Sequence, residues 1–236
     1  MSSIPVYKSG IHSGEERIVP GNDRSGMVFF SGCHLACNFC YTPETSVYRL
    51  GESFDALEFR RVLQDLIGKG AKNINLISPT HVWGDIESLM VDLPVPLVLK
   101  VSGYESRGMV ARMATVADYF VPDFKVHGAE LAKRVGLPAN YGKIASAAIR
   151  AMSEARPTLV RHLMMPGCFE DSRNVVRELA DMKYSGTLNL MTHFISARGV
   201  KVAPLLEVAA LQAIATEAGI PVLVNGRTGR VVANVA

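Results

Sequence analysis

No run in this chain of 236 residues approaches the ~20 uninterrupted apolar residues that a membrane helix needs, so no membrane partner is expected. The opening, MSSIPVYKSGIHSGEERIVPGNDRSG, lacks the apolar segment of a secretion signal. There is no run of lysine and arginine. A net charge of +3 argues only weakly for an acidic partner and makes no case for nucleic acid. Low-complexity tracts, charge blocks and convincing linkers are missing, so one domain is expected: residues 26–236, after a polar lead-in or cap at 1–25. Cysteine is scarce. Three of the four fall between positions 33 and 40, which excludes a disulfide scaffold and points to a reducing, cytoplasmic compartment and a metal or redox role. What is present is apolar content: at 48% hydrophobic, the chain can bury a substantial core.

Short β-branched apolar runs alternate with helical stretches. The strand candidates are 27–31, 73–78, 95–101, 119–124, 158–165, 187–192 and 220–224. The spacing of Phe59, Val62, Leu63, Leu66 and Ile67 predicts a helix over 54–67, with Ser53 as its cap and Gly68 and Gly70 as stop signals. A second helix is predicted over 204–218, and others near 84–92, 105–117, 140–155 and 171–184. Strand and helix alternating at this rhythm imply an α/β fold, a parallel sheet with right-handed crossovers. Six or seven such units suit a full or partial parallel barrel.

The segment GCHLACNFCYT, residues 32–42, sets Cys33, Cys37 and Cys40 in a C-x3-C-x2-C pattern directly after the first strand candidate. Active sites of parallel barrels lie at the C-terminal ends of strands, which puts this loop at the mouth. A closed zinc site takes four ligands. His34, His81 or Cys168 would have to be the fourth, and none has a recognisable spacing. A cubane cluster held by three cysteines leaves one iron for another ligand. Iron–sulfur binding, zinc binding and unligated thiols are the three readings, and the first accounts best for the pattern.

With Phe39 as the aromatic, C-x3-C-x-aromatic-C resembles the hallmark of the radical S-adenosylmethionine (SAM) superfamily. Further segments, NINLISPTH, LKVSGY, VPDFKVHGAELAKRVGLPANY and VRHLMMPG, resemble the uncharacterised homologues of pyruvate formate-lyase activating enzyme. The resemblance covers most of residues 26–194. It implies a partial (β/α)6-type parallel barrel and a 4Fe-4S cluster on Cys33, Cys37 and Cys40, whose free iron binds the amine and carboxylate of SAM. It also implies reductive cleavage of SAM to a 5′-deoxyadenosyl radical that takes a hydrogen atom from a substrate, and Phe39 beside the adenine. A low-potential donor, flavodoxin or ferredoxin, would supply the electron. The substrate would be a glycine of a partner protein, as in a glycyl-radical activase, or else a small molecule or another peptide. An electron-transfer iron–sulfur protein is the competing reading, although such proteins use a fourth cysteine at short spacing.

The remaining candidates are polar residues near strand ends. Asp123 and Lys125 are two apart, hence on one face. In the activating enzymes the matching pair holds the SAM ribose and carboxylate; a structural ion pair is the plainer alternative. Ser78 and Thr80 stand where many radical SAM enzymes carry Gly-Gly-Glu, which is absent here. They offer hydroxyls to the amine, or form an ordinary turn. Lys100 and Ser102 end the third strand, and Lys100 replaces an acid of the activating enzymes. With donors only, it marks an anionic substrate or is a solvated lysine. His162 is on the fifth strand, with Arg161 on its opposite face. Asn189, Met191 and His193 share one face of the sixth, and His193 falls near a SAM-contacting histidine of the activating enzymes. Both histidines have a structural alternative. Cys168 would give a hydrogen atom to a substrate radical or merely fill space. Asn225 would hold substrate or make a turn.

Overall fold

The computed structural model describes residues 3–14, 16–35, 37–40, 42–196, 199–225 and 227–228. The chain begins with β1 (Ile4–His12) and β2 (Ser25–Phe30), followed by α1 (Pro43–Ser46), β3 (Glu52–Phe54), α2 (Ala56–Gly68), β4 (Asn73–Ile77) and α3 (Trp83–Ile86). Then come β5 (Leu97–Val101), α4 (Arg107–Met113), β6 (Tyr119–Pro122), α5 (Ala129–Arg134), α6 (Tyr141–Ala155), β7 (Leu159–Leu163) and α7 (Phe169–Asp181). It finishes with β8 (Thr187–Met191), β9 (His193–Ser196), β10 (Gly199–Val202), α8 (Leu205–Glu217), β11 (Val222–Val224) and β12 (Arg227–Thr228).

All seven strand candidates appear, and they run parallel. β2, β4, β5 and β6 pair in that order; β7, β8 and β11 continue it, joined to β6 by the bridges Phe120–Thr158 and Asp123–Arg161. The sheet is a partial α/β barrel, as expected, with a seventh parallel strand beyond the six of the (β/α)6 pattern.

The first 25 residues hold β1, which adds antiparallel to β2, with β3 outside it. One local expectation is corrected. Helix α2 starts later than expected, because Ser53 pairs within β3 and Asp55 is the cap. The Asp55 carboxylate accepts from the Leu57 and Glu58 amides at 2.8 Å, and Glu58 reaches back to the Asp55 amide at 2.9 Å, a reciprocal capping box.

Alternation along each strand separates two environments. Val28, Ile74, Leu76, Leu97, Leu99 and Phe120 face the helices and form one core; Val160, Leu188 and Leu190 join another under α6, α7 and α8. Inside the barrel a third cluster gathers Val98, Tyr119, Val121, Leu159 and Leu223 around Val19. Val19 belongs to the segment between β1 and β2. Since β1 ends at the pair His12–Ser25, the first residue of β2, that segment crosses the N-terminal ends of the parallel strands and closes the barrel floor. From it Glu16 reaches into the lumen.

Candidate functional site

Parallel strands all end at one rim, so the loops 31–42, 78–82, 102–106 and 123–128 meet there. The cysteine loop is held on both sides. Ser31 donates to Pro5 O at 2.9 Å and Gly32 to Thr45 O at 2.7 Å; Asn38 donates to Val135 O at 3.2 Å and through its side chain to Arg134 O at 3.1 Å. Gly32 has φ +92°, and a Cβ there would stand 3.1 Å from His81 Nε2, so glycine suits both the turn and the approach.

Cys33, Cys37 and Cys40 are all half-buried, and none is in a disulfide. Burial pushes the Cys33 thiol up and carries Cys37 to about 11, against the pull of the Lys125 ammonium. The charges of neighbouring thiols add to both shifts. Cys33 Sγ has the Leu35 amide at 3.4 Å, and Cys40 Sγ accepts from the Ser46 hydroxyl at 3.0 Å. Among the described residues, no three His, Cys, Asp or Glu side chains converge on a single-ion site. A closed zinc site takes four ligands; three cysteines outside any disulfide leave one position open, which fits a cubane with one iron free for another ligand.

Asp123 and Lys125 project into the mouth together. Lys125 Nζ lies 2.5 Å from Asp123 Oδ2, and Arg161 brings Nε and Nη2 to within 2.8 Å of Asp123 Oδ1. Burial alone would raise the Asp123 carboxyl, but Arg161 and Lys125 outweigh it and hold it at about 2. Burial opposes the charge on Lys125, yet Asp123 and the nearby Cys37 keep the ammonium above its usual range.

Glu105 was not among the expected residues. It is 2% exposed, and burial raises its carboxyl. Oε1 accepts from the Ser102 hydroxyl at 2.8 Å, the Thr80 hydroxyl at 3.0 Å and the Ser102 amide at 3.3 Å. Oε2 is equally buried and has no hydrogen-bond partner among the described residues. Ser102 Oγ also meets His34 Nε2 at 2.9 Å. Thus Thr80 and Ser102 are at the mouth, bound to this acid. The bend that delivers Glu105 depends on Gly103, at φ +84°, where a Cβ would lie 2.1 Å from Asp123 O. The Tyr141 hydroxyl is 2.8 Å from both Ser102 O and Asp123 O, locking the two rims together.

Other candidates are placed as follows. Ser78 turns the chain after β4 with φ +56°, its amide donating to Lys100 O at 2.9 Å. Phe39 packs with Phe194 of β9, ring centroids 6.4 Å apart. His193 is exposed at the start of β9, its Nδ1 3.2 Å from Thr192 Oγ1. Cys168 caps α7, where Arg134 Nη2 stands 3.6 Å from its sulfur.

His162 is corrected. It points out of the barrel, 1% exposed, between Phe124 O at 2.7 Å and Ser172 Oγ of α7 at 2.8 Å. Its inward neighbour Arg161 is the residue at the site. Lys100 is neither solvated nor left for a substrate anion: it is 6% exposed inside the lumen, with Glu16 at 3.3 Å. Asn225, at φ +50°, ties β11 to β8, its amide side chain accepting from Thr192 N at 2.8 Å and donating to Thr192 Oγ1 at 2.7 Å. Glu105 and Arg161 had weak sequence signals, an acid just after a Gly turn and a cation on a strand polar on both faces. Glu16 had none.

No family model matches the chain. It is 29% identical over 105 residues to 7-carboxy-7-deazaguanine synthase of Methanothermobacter thermautotrophicus, covering 44% of this chain and 42% of that protein. The chain therefore spans less than half the length of this curated relative. In structure it is similar to SuiB of Streptococcus suis, with a TM-score of 0.63 at 14% identity, over 84% of this chain and 48% of that one. A domain of pyruvate-formate lyase-activating enzyme from Bacteroides vulgatus gives 0.52 at 12%, over 62% and 92%. A spore photoproduct lyase variant, solved with AdoMet and a dinucleoside spore photoproduct bound, gives 0.59 at 11%, over 93% and 79%. These are radical SAM enzymes with a partial TIM barrel. This chain shares their partial α/β-barrel fold.

Proposed function

We propose that this protein is a radical SAM enzyme in which Cys33, Cys37 and Cys40 hold a 4Fe-4S cluster and the surrounding rim holds SAM. The observation that carries the reading is that the loop bearing Cys33, Cys37 and Cys40 stands at the same rim of a parallel barrel as the Asp123–Lys125 pair and the buried Glu105. The chemistry such a cluster supplies is reductive cleavage of SAM to methionine and a 5′-deoxyadenosyl radical, which takes a hydrogen atom from the substrate.

The chain's own residues bind and orient. Lys125 offers its ammonium to the SAM carboxylate. Asp123, kept ionised by Arg161, accepts from the ribose hydroxyls. Glu105 Oε2 accepts from the SAM ammonium, taking the part that neither Lys100 nor the missing Gly-Gly-Glu can play. Phe39 and Phe194 form an aromatic wall for the adenine, with His193 at its rim. Ser78, Thr80 and Ser102 shape the turns between them. Cys168 is given no chemical step. An electron-transfer protein has no use for this zwitterion-matched rim.

A glycine of a partner protein is the substrate we favour, since the chain covers nearly all of the pyruvate-formate lyase-activating domain it resembles. A small molecule is the second reading, supported by the partial likeness to 7-carboxy-7-deazaguanine synthase. Flavodoxin or ferredoxin would supply the electron in a reducing cytoplasm. The test is anaerobic reconstitution with iron and sulfide, reduction, addition of SAM and detection of 5′-deoxyadenosine, with each substrate class supplied in turn. Formation of the nucleoside that disappears in Cys37→Ala is the expected result. A wild-type protein that retains no iron would overturn the proposal.

A further inference from the structure

We propose that Ser46 sets part of the cluster's reduction potential by donating its hydroxyl proton to the Cys40 thiolate, an inference that rests on the three cysteines holding the cluster. Ser46 closes α1, the helix that follows the cysteine loop. Its Oγ has two acceptors in reach, Cys40 Sγ at 3.0 Å and Thr42 O at 3.3 Å. A hydroxyl has one proton to give. The Thr42 carbonyl already accepts from the Thr45 hydroxyl at 2.8 Å, the Thr45 amide at 3.1 Å and the Ser46 amide at 3.2 Å. Its capacity is filled, and the sulfur is both nearer and less served. For so large an acceptor atom, 3.0 Å is a close approach.

The hydroxyl is also fixed in place. Thr45 O accepts from the Gly32 amide at 2.7 Å, which clips α1 to the start of the cysteine loop. Ser46 is half-buried, so water competes weakly for its proton. The sulfurs are thereby served differently: Cys33 by the Leu35 amide, and Cys40 by the Ser46 hydroxyl, with Thr42 Oγ1 further off at 3.9 Å. One-electron reduction adds negative charge that spreads onto the thiolates. A hydrogen bond to sulfur is stronger in the reduced state and so raises the potential. The electron comes from the low-potential donor, and no proton is transferred in the step.

The experiment is a redox titration of the reconstituted proteins followed by electron paramagnetic resonance, with iron and sulfide content measured alongside. Ser46→Ala should shift the midpoint to more negative values, by about threefold to tenfold in the reduction equilibrium, tenfold being about 59 mV for a one-electron couple. Ser46→Thr, which keeps a hydroxyl, should leave the midpoint near its wild-type value. Equal midpoints in wild type and Ser46→Ala, both with full cluster content, would overturn the role of Ser46 while leaving the cluster assignment standing. Should Ser46→Ala lose its cluster, electron–nuclear double resonance of the reduced wild type in H2O and D2O decides: an exchangeable proton coupled to the cluster's electron spin beyond the one that the Leu35 amide gives Cys33, and retained in Ser46→Thr, supports the bond, and finding none beyond it refutes the bond. A wild type that binds no iron would instead sink the cluster reading itself.

Discussion

At the mouth of the barrel, opposite charges are stacked within a few ångströms, and each has a different job. Lys125 faces Asp123 on one side and the cysteine thiols on the other. Removing it in Lys125→Ala should weaken SAM binding by about tenfold to a hundredfold, the range for a hydrogen bond to a charged group. Equilibrium binding checks this, and unchanged affinity would refute the assigned role. Glu105 has the more specific test. Glu105→Gln keeps the size and the contacts of Oε1 but loses the negative charge. Affinity for SAM should fall, while affinity for an analogue lacking the amine should stay near its wild-type value. Equal losses for both ligands would mean that Glu105 only shapes the turn.

Among the elements, the segment between β1 and β2 links the barrel floor to the charges in the lumen. It brings Val19 to the barrel floor and Glu16 to Lys100 and Arg161. Burial would raise the Glu16 carboxyl, but those two cations hold it below its usual range. Breaking a buried pair leaves its partner without its counter-charge. Glu16→Ala should cost about 3 kcal/mol or more, measured by chemical denaturation. A loss below about 1 kcal/mol, the level of an exposed pair, would show that the floor does not need this charge. The α2 capping box gives a smaller and independent effect. Asp55→Ala should cost about 1 kcal/mol with no change in SAM affinity.

Across the whole molecule, stability should depend on pH in two windows. His162 is enclosed between Phe124 O and Ser172 Oγ, and burial lowers its pKa below the ordinary 6.5. Below that pH the unfolded chain takes up a proton that the folded one refuses, so stability falls as the solution becomes more acidic and levels off above about 6.5. Asp123 acts further down. Its stabilisation is complete above the ordinary 3.8 and is lost as pH falls through about 2. Denaturation midpoints measured for wild type and His162→Gln from pH 8 to pH 5 check the first window: the slope should flatten in the variant. Among the described residues no helix is long and apolar enough to cross a membrane.

Local spacing determined a good deal by itself. The alternation of apolar runs with 3.6-period stretches marked all seven parallel strands, because a strand buried on both faces reads as a continuous β-branched run. The three cysteines, with Phe39 between two of them, carried the proposed cluster site, since a metal's demand for thiolates can be met within a few residues. Asp123 and Lys125 were legible from their spacing of two. What only the tertiary structure decided were the residues whose partners lie far away in the chain. Arg161 rather than His162 enters the mouth, a choice set by which face of β7 meets α7 and not by the composition of either face. Lys100 gains its counter-charge from Glu16, 84 positions earlier, a pairing that no local spacing announces. Glu105 becomes a buried, half-satisfied acid only because Gly103 lets its loop close against Asp123. Periodicity reports which face of an element is apolar; what stands opposite that face is settled by packing alone.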